Sequence, residues 1–151
     1  MILTRRNLIG TGAGGLLLGA GAVSLWPETG QAQQLTIDAV FNDPDAPVQG
    51  NPDGDVTLVK YFDYQCPFCK RMHPMLKDVV AEDGNVRLVM KDWPIFGAAS
   101  IRASLLDRND HQAVAIGFRG TPAFAIGTTL YTGAQPRKNL VDAIAKARAE
   151  A

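Results

Sequence analysis

Cysteine is almost absent from this chain: its 151 residues include two, Cys66 and Cys69. A framework of several disulfides is therefore excluded. Histidine is equally scarce, with His73 and His111 alone, so nitrogen ligands for a metal are few. Neither sign of charge is in excess, since 15 Lys and Arg balance 15 Asp and Glu. With no basic stripe and no interleaving of aromatic and basic residues, nothing points to nucleic acid. Internal repeats are lacking, as are low-complexity tracts beyond the first thirty residues. The one long apolar run, Leu8 to Leu25, is thinned by six glycines and has little affinity for hydrocarbon.

That run belongs to an address segment rather than to a fold. Thr4-Arg5-Arg6-Asn7-Leu8-Ile9 places a basic pair before apolar residues, and Gly30-Gln31-Ala32 offers small residues at a cleavage site. The paired arginines look like a twin-arginine export signal. A general secretory signal and an uncleaved anchor are the alternatives. Residues 1–32 are expected to be removed, leaving a periplasmic or otherwise exported chain of 119 residues, 33–151. This length suits one domain with one core. The shortened chain carries 13 Lys and Arg against 14 Asp and Glu, close to neutral.

Residues 33–55 read as an arm, with Leu35, Ile37, Val40 and Phe41 as its one apolar pattern and Asn51-Pro52-Asp53-Gly54 as a turn. Val56–Phe62 reads as a strand from the middle of a sheet, apolar on both faces except at Thr57 and Lys60. Cys66 to about Glu82 reads as a helix with Cys69, Met72, Leu76, Val79 and Val80 on one face, Pro74 inside it, and Asp83-Gly84-Asn85 ending it. Val86–Met90 is a second strand, with Trp93-Pro94 at its exit. Residues 97–117 are expected as a helix in two pieces, broken near Asp107–Asp110. Ala123–Ile126 and Thr129–Tyr131 flank Gly127-Thr128 as a hairpin, and Pro136 opens a helix in which Leu140, Val141 and Ile144 share a face. The order strand, helix, strand, helix, hairpin, helix is that of an α/β domain with one central sheet.

The two cysteines are the chemical feature. They stand three positions apart at the start of a helical pattern, with Pro67 at the first helical position and Cys66 therefore at the N-cap. The backbone N–H groups of Phe68 and Cys69 and the positive end of the helix favour thiolate at Cys66. Its pKa is expected to fall well below that of a free cysteine, making Cys66 an exposed nucleophile. Cys69, one turn along on the apolar face, is expected to be the buried resolving thiol. A structural staple is a poor use of so small a loop. Zinc needs about four ligands, and only His73 and His111 could join the cysteines. Covalent haem needs histidine directly after the second cysteine, where Lys70 stands. No metal or cofactor is expected. His73 reads as a surface residue of the helix and His111 as solvated.

Three segments together resemble the DsbA-like thiol:disulfide oxidoreductases of the thioredoxin superfamily. They are Val59-Lys60-Tyr61-Phe62-Asp63-Tyr64-Gln65-Cys66-Pro67-Phe68-Cys69-Lys70, Lys91-Asp92-Trp93-Pro94-Ile95, and Gly120-Thr121-Pro122-Ala123-Phe124. Phe41-Asn42-Asp43-Pro44-Asp45-Ala46-Pro47 and Gly50-Asn51-Pro52 are similar to that family as well. The resemblance implies a near-minimal thioredoxin-like fold, β-α-β-α-β-β-α, over residues 56–151. It implies a redox-active disulfide between Cys66 and Cys69. It also implies a cis bond at Thr121-Pro122 facing the dithiol, where Thr121 would pair with an extended substrate beside Pro67 and Phe68.

Two departures from that family stand out. A helical domain usually lies between the second strand and the cis-proline, and here only residues 98–119 occupy that place. An acidic residue often stands six positions before the first cysteine, and here that residue is Lys60. A cation there would not accept the proton of Cys69 while charged, so steps that release Cys69 are expected to be slow and Lys60→Glu to speed them. Asp63 could substitute as the acid, although solvated capping near Cys66 is its expected role. The resulting reading is an exported oxidant of cysteine-containing exported proteins, a monomer, with a membrane or soluble redox partner. A reductase or isomerase, a chaperone-like peptide-binding module and a poorly functional deletion product are the alternatives.

Overall fold

The computed structural model describes residues 35–96 and 103–151. The expected signal segment, and the start of the expected helix after residue 97, lie outside them. Nine elements follow in order: α1 (Ile37–Phe41), β1 (Val48–Gly50), β2 (Val56–Phe62), α2 (Pro67–Asp83), β3 (Val86–Asp92), α3 (Ala103–Ala115), β4 (Ala123–Ile126), β5 (Thr129–Thr132) and α4 (Arg137–Ala149). The strands form one sheet in the order β1-β3-β2-β4-β5. β2 and β3 are parallel and in register from Val56↔Val86 to Phe62↔Asp92. Every other pairing is antiparallel.

Alternation along the strands divides the interior in two. Val56, Leu58 and Phe62 of β2, with Phe124 and Ile126 of β4, face α2 and α4. Val59 and Tyr61, with Ala123 and Ala125, face α1 and α3. β2 is paired on both sides, which explains its nearly continuous apolar sequence. The sheet is thus an α/β sandwich of the expected class.

Several boundaries differ from the sequence reading. The arm contains a helix and a strand. α1 is capped by the Thr36 hydroxyl, which accepts from the Ala39 N–H at 3.0 Å. β1 adds an edge to β3, with Val48 opposite Val89. All three β1 residues are exposed, so no alternation betrayed the strand. The expected break at Asp107–Asp110 is absent, because α3 runs through it. Asn109 and Gln112, which read as breakers, point inward: the Asn109 amide donates to the Asp92 carbonyl at 2.8 Å, and the Gln112 amide to the Ala39 carbonyl at 3.1 Å. On α4, Val141 is 46% exposed and Ala143 is buried in its stead. Leu140, Ala143, Ile144 and Ala147 keep the i, i+3, i+4, i+7 spacing.

A buried ionic cluster fastens α1 and α3 to the sheet. Lys91 Nζ donates to the Ala39 carbonyl at 2.9 Å, to Asp43 at 2.8 Å and to Gln112 at 2.7 Å. Arg108 makes two 2.8 Å bonds to the same Asp43 carboxylate. Burial pushes Asp43 up, but the Lys91 bond and charge, the Asp45 N–H and the Arg108 charge outweigh it, and the carboxyl stays below its usual range. Burial lowers Lys91 against the pull of Asp43. Its three protons have three acceptors, so the geometry holds it as the ammonium. Nearby, Trp93 is buried, donates its indole N–H to Asp110 at 2.8 Å, and meets Tyr61 edge-on at 6.3 Å.

Candidate active site

The dithiol sits where β2 turns into α2. Asp63 bends the chain after β2: its carboxylate accepts from the Gln65 N–H at 2.6 Å and, with the other oxygen, from the Phe96 N–H at 2.8 Å. The carboxylate therefore braces two loops at the edge of the dithiol. Asp63 is buried, not solvated as expected. Pro67 opens α2 and leaves Cys66 as its N-cap, with the Cys69 N–H donating to the Cys66 sulfur at 3.4 Å. From across the sheet the loop before β4 brings in the cis peptide Thr121-Pro122. The Cys66 thiol donates to the Thr121 carbonyl at 3.4 Å. Residues far apart in the chain, Lys60, Cys66, Cys69 and Thr121, thus meet at one end of the sheet.

The two sulfurs are pushed in opposite directions. Burial raises Cys66, but hydrogen bonding with Thr121 and with the N–H and thiol of Cys69, together with the Phe68 N–H, outweighs it and leaves its pKa lowered. Burial raises Cys69 as well. There the neighbouring Cys66 adds to the effect, and the bonds with Asp63 and Thr121 do not reverse it. A pair of titratable groups whose surroundings drive their pKa values apart has an assignable nucleophile and partner. The expected exposure of Cys66 is corrected: it is 1% exposed and Cys69 3%. The contact with Thr121 covers a sulfur that the sequence, read along the helix alone, left open. Its neighbours on the surface are aromatic. Tyr64 is 69% exposed and Phe68 55%, with Arg71 over the Phe68 ring at 4.5 Å.

Behind the dithiol lies a cavity of about 510 Å³, walled on one side by β2 and β3 and on the other by α2. Lys60, Cys69, His73 and Asp92 all face it. Lys60 is 1% exposed, and burial lowers its pKa against the opposing charges of Cys69 and Cys66. Burial, Lys60 and Lys77 lower His73. Burial and the Asp63 charge raise Asp92. His73 is thus a wall of the cavity rather than a plain surface residue. Its position four residues after Cys69 on the same helix was the available signal. Asp92 and Asn109 had none, because Asp92 is placed by the register of β3 on β2 and Asn109 by how α3 packs. His111 is exposed as expected. No group of three or more His, Cys, Asp or Glu able to hold a metal occurs among the described residues.

The comparisons agree with this geometry. The family model described as Thioredoxin matches residues 42–110. A thioredoxin-like oxidoreductase from Silicibacter pomeroyi is 29% identical, with a TM-score of 0.69 over 77% of this chain and 99% of that one. A periplasmic thioredoxin-like protein from Salmonella enterica serovar Typhimurium is 25% identical, with a TM-score of 0.70 over 80% of this chain and 99% of that one. The thiol-disulfide exchange protein alpha-DsbA2 from Wolbachia pipientis shares the fold at 18% identity, with a TM-score of 0.65 over 72% of this chain and 90% of that one. Among curated proteins, Na(+)/H(+) antiporter NhaA 1 of Salinispora arenicola is 33% identical over 54 residues, which is 35% of this chain and 8% of that protein. The chain spans less than a tenth of that relative. With a dithiol at a helix N-cap facing a cis-proline loop, and with neighbours matched over nearly their whole length, the chain has a thioredoxin-like fold and is similar to thioredoxin-like oxidoreductases.

Proposed function

We propose that the protein is an exported oxidant of protein thiols in which Cys66 is the exchanging sulfur and Cys69 the resolving one. The observation that carries this reading is the placement of the two sulfurs, Cys66 at the helix N-cap bonded to the Cys69 N–H and the Thr121 carbonyl and Cys69 buried behind it, which pushes Cys66 down and Cys69 up. In the oxidised protein a substrate thiolate attacks Cys66. The Cys66–Cys69 bond breaks, its electron pair stays on Cys69, and a mixed disulfide forms. A second substrate thiolate attacks the substrate sulfur of that bond and expels Cys66 as a thiolate. The substrate leaves with a disulfide and the protein is left as a dithiol, to be re-oxidised by a membrane or soluble redox partner.

A stabilised Cys66 thiolate favours the reduced protein, and a protein whose reduced form is stabilised is an oxidant. The sign follows from linkage. A thiol whose folded pKa is lowered contributes stability that is full above its ordinary value of 9.0 and lost as pH falls through the folded pKa. Thr121 and Pro122, beside Cys66, serve as the backbone edge for an extended substrate segment. Pro67 and the exposed Phe68 line the approach. The periplasmic neighbour and the arginine-pair leader, ending near Ala32, favour export; the proposal takes the protein as a monomer that acts on cysteine-containing exported proteins.

Equilibration of the full chain with reduced and oxidised glutathione tests the direction. The expected result is a potential more oxidising than that of the glutathione pair. A more reducing potential overturns the oxidant and favours the reductase or isomerase. Ultraviolet absorbance of the thiolate, titrated in the reduced protein, is expected to show one sulfur ionising below the range of a free cysteine. A single transition at the ordinary thiol pKa counts against the assignment of Cys66.

A further inference from the structure

Two lysines are buried on the central strands, and their surroundings are opposite. Lys91 of β3 points to the α1 and α3 side, where three acceptors, the Asp43 carboxylate among them, receive it. Lys60 of β2 points to the α2 side and makes no hydrogen bond or ion pair with any described residue. Its aromatic neighbour is Phe62, with Nζ 5.8 Å from the ring centre. An ammonium buried without a carboxylate is disfavoured, and a lysine so placed sheds its proton readily. The groups it feels are the two sulfurs. It also opens on the 510 Å³ cavity that it shares with Cys69 and His73. Although its surface is mostly apolar, the cavity is open on one side and carries Lys60, His73 and Asp92 on its wall, so water reaches it.

We propose that Lys60 is the proton acceptor and donor for Cys69, working through the cavity that both share with His73. The proposal rests on the exchange reading above. It also reverses the expectation that a lysine at this position obstructs resolution. When Cys66 has attacked a disulfide and carries a mixed disulfide, Cys69 is still a thiol. Its proton passes to the Lys60 amine, giving an ammonium and a thiolate. The thiolate attacks Cys66, the mixed disulfide breaks, and the external sulfur leaves with the electron pair. Lys60 then passes its proton to water in the cavity. In the opposite direction Cys69 leaves as a thiolate and takes the proton back from the Lys60 ammonium. The titratable and charged groups around Lys60 are Cys66, Cys69, Lys70 and His73 on α2 and its cap, Asp63 after β2, and Asp92 at the end of β3, with Lys77 acting on His73. Burial and the Asp63 charge across the mouth of β2 and β3 raise Asp92, so Asp92 bears on the pH profile.

The test is rapid mixing of the reduced full chain with oxidised glutathione. Acid quenching and mass spectrometry then count the glutathione adduct on Cys66. In the wild type the adduct is expected to be fleeting across neutral pH. In Lys60→Met and Lys60→Arg, neither of which accepts a proton there, resolution is expected to slow at least about tenfold. The adduct then accumulates, and the resolving rate rises steadily with pH. A Lys60→Arg protein that resolves with the wild-type rate and pH profile overturns the proposal, because a fixed cation would then suffice. Should both variants lose a cooperative melt, the wild type decides: slower resolution in heavy water is expected, and an unchanged rate overturns the proposal. If no adduct forms on Cys66 in any protein, the exchange reading itself has failed, which is a separate outcome.

Discussion

Replacing Cys66 by alanine is expected to lower disulfide exchange roughly a hundredfold or more, to the rate of the remaining thiol. The thiolate is the reacting species, and with Cys66 gone burial still holds Cys69 as the thiol. Cys69 is also 3% exposed, so it has neither the charge nor the access to stand in. Cys69→Ala is expected to differ in kind. The attack by Cys66 survives, resolution does not, and mixed disulfides with substrate proteins persist. Oxidation of a reduced model protein measures the first variant, and non-reducing electrophoresis the second. A Cys66→Ala protein that retains full activity in cells sinks the enzymatic reading and favours a module that merely holds peptides.

Asp43→Ala is expected to cost about 3–5 kcal/mol of stability, the loss typical of removing one partner from a buried ion pair. Asp43 is 3% exposed and Lys91 fully buried. With the carboxylate gone, Lys91 keeps its bonds to Ala39 and Gln112 but loses its counter-charge, and Arg108 loses two bonds. The effect reaches beyond α1, because the same cluster seats α3, whose Asn109 amide holds the end of β3. Denaturant unfolding monitored by circular dichroism gives the number. Lys91→Met in the Asp43→Ala background is expected to recover part of the loss, since an apolar pair at that place needs no partner. A double variant as unstable as the single one would assign the loss to packing instead. On the pH axis, the lowered pKa of Asp43 contributes stability that is full above the ordinary value of 3.8 and disappears as pH falls through the folded value.

The parts of this architecture that were legible beforehand are those whose signal is local. Pro67 after Cys66 announced the cap, Gly84 the left-handed end of α2, and Gly127 the hairpin, and all three stand there. The long apolar run of β2 placed it at the centre of the sheet. What stayed hidden depends on contacts across the chain. β1 buries no side chain, so its only signature is its pairing with β3. Asn109 and Gln112 suggested a break because polar residues usually face water, yet each finds its partners inside. Likewise Asp63 reads locally as a solvated cap, but the Phe96 N–H, 33 residues on, binds its carboxylate. Within the site, the helix alone indicated which sulfur caps it. It did not indicate that the Thr121 loop covers that sulfur, nor that Lys60 and His73 share a chamber with its partner.

Trp93 gives the molecule its own reporter. It is the sole tryptophan among the described residues, Trp26 being the other in the chain. Its indole bridges the end of β3 to Asp110 of α3. In a Trp26→Phe background, the fluorescence of this one emitter follows the seam between the sheet and α3. Loosening that seam shifts the emission to the red as water reaches the ring, so the docking of the helix can be watched in real time while the sulfurs change partners.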